Sequence, residues 1–486
     1  MTDGDRLPPA PDVVERALSL AHGHDCVVVV TDGSEADVRF ANNTTTTNGV
    51  RRDRRVTVIS IVASASATAS AGADADGAGS ARAVAVGVAS RAGAVDVAEL
   101  VRASEADAEG AAPADDAMAL IAPTGSSGAS GASPFSAPPV LTDLSTLDAV
   151  VRPLAAAFGR ARAARHVLAG FASHRMDTVY LGSSTGLRLR HVQPTGTIQL
   201  VARSADGTRS TWAGAGTSRF DDVDVDVLHD RLARRLAWAD HRLELPAGRY
   251  ETLLPPDATA DLMVVLSQAL SGRDAEDGRS PFSGPDGTTK LGETLATLPF
   301  TLRSDPVEPG LESIPFLVTS ASGTDVSVFD NGLPIGPTDW VHGGRLHALE
   351  YHRAAAARSG TVPTPPGDNL MLELPGATDA LDDMIARTER GLLLTCLWYI
   401  REVDPVTLLV TGLTRDGVYL VEGGEVVGAV NNFRFNESPI DVLARTMDAG
   451  RTERALSREW GEWKSRTAMP ALRVADFNMS SVSPAT

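Results

Sequence analysis

The chain is poor in lysine, cysteine and aromatic residues, and it has no long apolar run. Lys290 and Lys464 are its lysines, and arginine supplies the remaining positive charge. With so much alanine beside it, that bias reads as coding composition rather than function. Basic residues number 44 against 62 acidic ones, for a formal net charge of -18. A polyanion needs a basic surface, so nucleic acid is not expected as a partner. Two cysteines, Cys26 and Cys396, exclude a disulfide framework and a paired-cysteine zinc site. Each sits in an apolar run (CVVVV and LLLTCLWYI) and is expected as a buried thiol. No apolar stretch reaches the roughly 18–20 residues of a membrane span. The acidic start MTDGDRLPPAPD does not read as a secretory signal. A cytoplasmic protein with no membrane partner is expected, and the Asn-Thr-Thr and Asn-Glu-Ser triplets then carry no glycosylation meaning.

Nucleotide and nucleophile motifs are missing too. There is no GxxxxGK[ST] loop and no G-x-S-x-G elbow. GAGT at 214–217 does not follow a buried parallel strand with a helix behind it, so it is not read as a dinucleotide site.

A hydrophobic content of 43% is ordinary, and the length suits two to four domains. Residues 1–108 read as an N-terminal α+β unit. A helix is expected over 11–22. Strands are expected over Cys26–Thr31 and Ala36–Ala41, turned by Asp32-Gly33, then over 56–63 and 83–88, with a helix over 95–108. Asn48-Gly49 signals a further tight turn. The small, polar stretch 64–82 reads as a loose loop. Residues 109–142, rich in Ala, Gly, Ser and Pro, read as a flexible linker or insertion and a domain boundary. Residues 143–243 read as a β-meander between two helices, with Pro153 in a first helical turn and turns at SSTG, PTG and ADG.

Residues 244–486 form a β-rich unit packed on a few helices. Its principal helix is expected over Leu254 to Asp274. Pro255 and Pro256 precede it, Asp257 serves its first turn, Asp261 adds charge there, and Gly272 stops it. Leu262, Val265, Leu266, Ala269 and Leu270 form its apolar stripe. A further helix is expected over 376–391, stopped by Gly391, with Leu381, Met384 and Ile385 inward. VHGGRLHAL and VEGGEVV read as hairpins over Gly-Gly. The fold class is therefore α+β, with antiparallel N-terminal sheets and a β-rich C-terminal domain.

Three residue groups could carry chemistry. His342, His347 and His352, with Glu350, invite a metal reading. Five-residue spacing on an extended chain separates neighbouring histidines, so surface or satisfied histidines are favoured unless a hairpin brings two together. Glu402, Asp404, Asp416 and Glu422 are carboxylates scattered among strands and read mainly as a solvated face. FRFNESP ends a strand before a helix expected over 440–449. Its Arg434, Asn436 and Glu437 are either a binding loop or a helix start capped by Asn436 or Ser438.

RYETLLPPDATADLMVVLSQALSGRD, SVFDNGLPIGPTDWVHGGRLHALEYHRAAAARSG, VDPVTLLVTGLTRDGVYLVEGGEVVGAVNNFRFNES and MPALRVADFNMSS together resemble the TldD/PmbA (TldE) peptidase family. ADVRFANNTTTTNG resembles that family's first domain. The resemblance implies that catalytic TldD-type members carry His-Glu-x-x-x-His on the helix matching residues 262–273. Two histidines hold zinc there and the glutamate is the general base. Matching QALSGRD to the family's H-A-L-E-G-D ending puts these three positions at Met263, Val264 and Gln268. The family's third ligand, a C-terminal cysteine, has no counterpart in EWKSRTAMPALRV. The implied role is a metal-free TldE/PmbA-type subunit with no catalytic residue and no cofactor of its own. Zinc is expected in a TldD-like partner, and the substrates are peptides or unfolded proteins. The alternatives are an independent enzyme with a site around His347 and Glu350, or a peptide-binding scaffold.

Overall fold

The computed structural model describes residues 7–21, 24–63, 83–123 and 134–483. Helix α1 (Ala10–Leu20) buries Ala10, Val13, Val14 and Ala17 against strand β1 (Asp25–Ala41). Strands β2 (Thr44–Ala63) and β3 (Val84–Ala92) follow, then helix α2 (Val97–Gly110), which Asp96 caps. Next come α3 (Asp148–Ala163), β4 (His166–Ser183), β5 (Arg188–Ser204), β6 (Ser210–Thr217) and α4 (Val225–Trp238). These strands make one antiparallel sheet in the order β3-β2-β1-β4-β5-β6. The division at 109–142 therefore does not divide the sheet, because β1 pairs with β4 across it.

The valine run of β1 is buried on both faces. Val28, Val30, Val38 and Phe40 face the helices. Val27 and Val29 face Phe316, Val328 and Phe329 of the C-terminal unit. The ends of the 109–142 stretch pack rather than cross solvent. Leu120 joins the second of these clusters. Phe135 meets Tyr180 edge-on at 5.8 Å, and Tyr180 donates to the Ala137 carbonyl at 2.7 Å. The loop expected over 64–82 lies outside the described residues, as do residues 124–133.

Three turn signals are overridden. Asp32-Gly33 lies within β1, because Asp32 sits opposite Arg54 and the two form a buried two-point ion pair at 2.5 and 2.7 Å. Asn48-Gly49 runs straight through β2, and the chain turns instead at Asn42 and Asn43, with φ of 52° and 59°. Asn43 is held there by its side chain, which accepts from Leu168 N–H and donates to the His166 carbonyl. The PTG turn is also strand. Pro194 lies in β5 beyond the end of β6, where its missing N–H leaves no ladder bond unmade. SSTG and ADG do turn the chain, and Pro153 lies inside α3 rather than in its first turn.

The C-terminal unit begins with β7 (Arg242–Leu243) and β8 (Gly248–Leu254), then α5 (Pro256–Gln268) and α6 (Gly272–Glu276). Strand β9 (Thr301–Ser304) leads to the hairpin of β10 (Thr338–His342) and β11 (Arg345–Leu346). Then follow α7 (Arg353–Ser359), β12 (Leu370–Glu373), α8 (Leu381–Ala386), β13 (Arg390–Leu394), β14 (Leu397–Asp404) and β15 (Leu409–Thr414). The hairpin of β16 (Val418–Glu422) and β17 (Glu425–Val430) turns at Gly423-Gly424. The chain ends with β18 (Phe433–Glu437), α9 (Pro439–Ala444), β19 (Thr446–Ala455) and β20 (Thr467–Val482). Both Gly-Gly hairpins form as expected. Strand β20 is the hub of a mixed 14-stranded sheet and pairs with β8, β12, β18 and β19. The helix expected over 376–391 is confined to α8. Gly391 belongs to β13, where a Cβ would come within 2.8 Å of the Glu251 carbonyl.

The principal helix differs from expectation in extent and surroundings. It ends at Gln268, because the Leu270 carbonyl and Gly272 N–H pair with the backbone of Glu350. Gly272 starts α6 instead of stopping α5, and a Cβ there would meet the Tyr351 ring at 2.1 Å. Every residue from Asp257 to Ser267 is buried, so no single stripe faces the core. Such a helix is a central strut rather than a surface one. We expect Leu266→Ala to destabilise the protein by about 2–5 kcal/mol, read as a lower midpoint in urea unfolding.

Candidate functional site

The first half of α5 carries two carboxylates in an otherwise apolar helix. They do not serve its N-terminus, which has no side-chain cap. Asp257 Oδ1 accepts from Leu456 N–H at 3.0 Å. Asp261 Oδ1 accepts from the Ser457 hydroxyl at 2.6 Å and Glu459 N–H at 2.9 Å. The helix thus grips the loop 456–460. Burial pushes the Asp261 carboxyl up to about 8 against the pull of these bonds. Burial also raises Asp257, with Arg231 opposing.

The gripped loop reaches into the junction between the two sheets. Arg458 lies between the rings of Trp398 and Trp212, 4.8 and 5.4 Å from their centres, and pairs with Asp416 at 2.9 Å. It also touches Cys396, whose thiol burial pushes up to about 12. Both cysteines are buried and free, as expected. Asp416 is thus committed to Arg458 and to the Ser210 hydroxyl. Glu422 pairs with Arg390, and Asp404 holds Thr407.

The second half of α5 separates the three motif positions. Met263 and Val264 are in the core, at 0% and 1% exposure. Gln268 is exposed and opens into a cavity of about 80 Å³ with Val265, Ala269, Ile400, Glu402, Leu408, Val410 and Trp460. Trp460 meets Trp463 edge-on at 6.0 Å, and Trp463 is 71% exposed. Beside them Tyr399 and Val403 are exposed on β14, which pairs only with β15 among the described residues. A methionine and a valine packed in apolar surroundings offer zinc no usable donor set. Among the described residues, no three His, Cys, Asp or Glu side chains converge to hold a metal.

The histidines divide. The β10–β11 hairpin brings His342 and His347 together at the surface, with ring centres 5.7 Å apart and Asp339 bonded to His342 Nδ1. His352 is buried at the start of α7, where Nδ1 accepts from Ala355 N–H. Glu350 is buried as well, and its carboxyl is pushed up to about 8 by burial. Among the described residues, no hydrogen bond or ion pair joins Glu350 to His347. In FRFNESP, Glu437 is buried beneath Arg445 and accepts from Asn478 N–H. Asn436 and Arg434 lie in β18 between β15 and β20, with Arg434 exposed and bonded to the Thr411 hydroxyl. Ser438 starts α9 without a side-chain cap and donates to the Thr407 carbonyl. Glu437 is therefore occupied by its own fold.

Residues 247–481 match the model of the PmbA/TldA metallopeptidase C-terminal domain, and residues 140–239 match that of the PmbA/TldA metallopeptidase central domain. The chain belongs to this family. The fold is similar to that of TldE from Thermococcus kodakarensis (TM-score 0.73, 15% identity, 96% of this chain and 98% of that one). It is also similar to a candidate modulator of a DNA gyrase from Thermotoga maritima (0.73, 16%, 96% and 99%). A protein of the same description from Bacteroides thetaiotaomicron gives 0.69, 15%, 97% and 98%. No curated protein shows significant similarity. No described helix is long and apolar enough to cross a membrane.

In this PmbA/TldA chain, sequence reasoning found the helix but missed its polar grip. The available signal was the pair Asp257 and Asp261, four residues apart in an apolar helix, since buried carboxylates need partners. A carboxyl whose pKa is raised on folding favours the native state at low pH. Its contribution is full below the unfolded value near 3.9 and is lost as pH rises towards about 8. Asn at this position can accept the same two bonds. We expect the stability of Asp261→Asn relative to the parent to rise steadily between about pH 4 and pH 8, measured by urea unfolding across that range.

Proposed function

We propose that this chain is the metal-free, TldE/PmbA-type subunit of a heterodimeric zinc peptidase that acts on unfolded or small peptides. The observation that carries the reading is the burial of Met263 and Val264 in apolar core at the positions where the family's catalytic members place a ligand and a base. The chain contributes one wall of a substrate chamber, and a TldD-like partner contributes zinc. The edge of β14 that carries no strand among the described residues, beside the cavity at Gln268 and the exposed Trp463, suits this role. An extended peptide can pair with a strand edge through its backbone whatever its sequence. The setting is the cytoplasm, where a chain with two buried thiols keeps them reduced.

The test is metal analysis and peptidase assay of the isolated chain and of the chain co-purified from its source. The expected result is less than stoichiometric zinc and no hydrolysis alone, with activity in a complex whose companion carries His-Glu-x-x-x-His. One tightly bound zinc per isolated chain, with activity, would sink the proposal.

A further inference from the structure

The opposite end of α5 opens on a different cleft, of about 160 Å³, between α4, α8 and β19. We propose that this cleft is a binding site for a small oxyanion, a carboxylate or a phosphate group. Five arginines line it, Arg231, Arg234, Arg235, Arg451 and Arg454, against three carboxylates, Asp257, Asp382 and Glu453. That is a local excess of positive charge in a chain of net charge -18.

Three of the guanidiniums are committed. Arg234 pairs with Asp382 at 2.9 Å and lies over Trp238, Arg451 pairs with Glu453 at 2.7 Å, and Arg454 pairs with Asp222 at the rim. Arg231 and Arg235 are not. Arg235 is buried at 4% exposure, with no ion pair, and its Nη1 donates to the Trp212 carbonyl at 2.7 Å. The Arg231 side chain makes no hydrogen bond among the described residues. Its nearest carboxylate oxygen is Asp257 Oδ2 at 3.8 Å. Asp257, whose other oxygen is taken by Leu456 N–H, is the carboxylate that attracts both guanidiniums, and among the described residues it pairs with Arg231 alone. The guanidiniums repel each other, and burial pushes Arg235 down to about 10, which leaves it charged at neutral pH. Buried positive charge that is only partly balanced is costly, and an anion seated between the two would offset that cost.

The rest of the cleft agrees with an anion. Pro255 and Pro256 line it at the uncapped start of a 13-residue helix, whose dipole adds positive potential. Paired guanidinium forks match the planar, multi-acceptor geometry of carboxylate and phosphate. The site is distinct from the cavity at Gln268 and does not depend on the subunit role proposed above.

Calorimetric titration of the full chain at low ionic strength tests this, with inorganic phosphate, N-acetyl-dialanine and the C-terminal amide of that dipeptide as probes. The expected result is one saturable site per chain for phosphate, for the free acid or for both, and none for the amide. Binding of phosphate alone points to a phosphorylated ligand, and binding of the free acid alone to a peptide C-terminus. Arg231→Ala, which breaks no hydrogen bond, should weaken binding on the order of tenfold or more. Arg231→Lys should retain part of it. Saturable binding of neither anion, equal binding of the amide, or anion binding that Arg231→Ala leaves unchanged would overturn the assignment.

Discussion

The structure depends on a helix that has no outside. From Asp257 to Ser267 every residue of α5 is buried, so the C-terminal unit is assembled around it rather than beside it. An all-apolar helix could be placed in many rotations. Its two carboxylates remove that freedom, because each has only one set of donors to meet. Asp257 takes the backbone of Leu456, and Asp261 takes Ser457 and Glu459. Burying a carboxyl is costly, and the bonds only partly offset this. The cost secures the position of the 456–460 loop.

That loop in turn fixes how the two sheets meet. Arg458 sits between Trp212 of β6, in the first sheet, and Trp398 of β14, in the second. Asp416 holds Arg458 from one side and Ser210 from the other. On the neighbouring side Arg235 of α4 donates to the Trp212 carbonyl. Guanidinium suits this junction better than ammonium, because it stacks on aromatic faces while its fork bonds in the plane. In a chain with two lysines, the arginine bias supplied a residue that the junction uses.

Much of the architecture was legible in the sequence, where a segment's own pattern decides its conformation. The valine run of β1, the helix that follows the β-meander and the Gly-Gly hairpins all belong to this class. The misreadings share a cause. Asp32-Gly33 looked like a turn because its partner Arg54 is invisible until β1 and β2 are paired. The end of α5 was placed too late because Glu350, far along the chain, captures the backbone at Leu270 and Gly272. Non-local pairing, not propensity, decided each case.

The same logic bears on what a zinc site on this helix would require. Two of the three motif positions, Met263 and Val264, are packed in the core, and each contributes roughly 1.5–3 kcal/mol of burial. Placing His and Glu at them would trade that packing for polar groups without partners, at a further cost of about 1–3 kcal/mol each. The metal could repay this only through a complete donor set. The end of α5 offers Gln268 and Glu402 at the cavity, and the buried carboxyl nearest in sequence, Asp261, is already committed to the 456–460 loop. Three substitutions would therefore disturb the central helix before they assembled a metal centre. In this chain the helix serves as a strut, and Met263 and Val264 serve its packing.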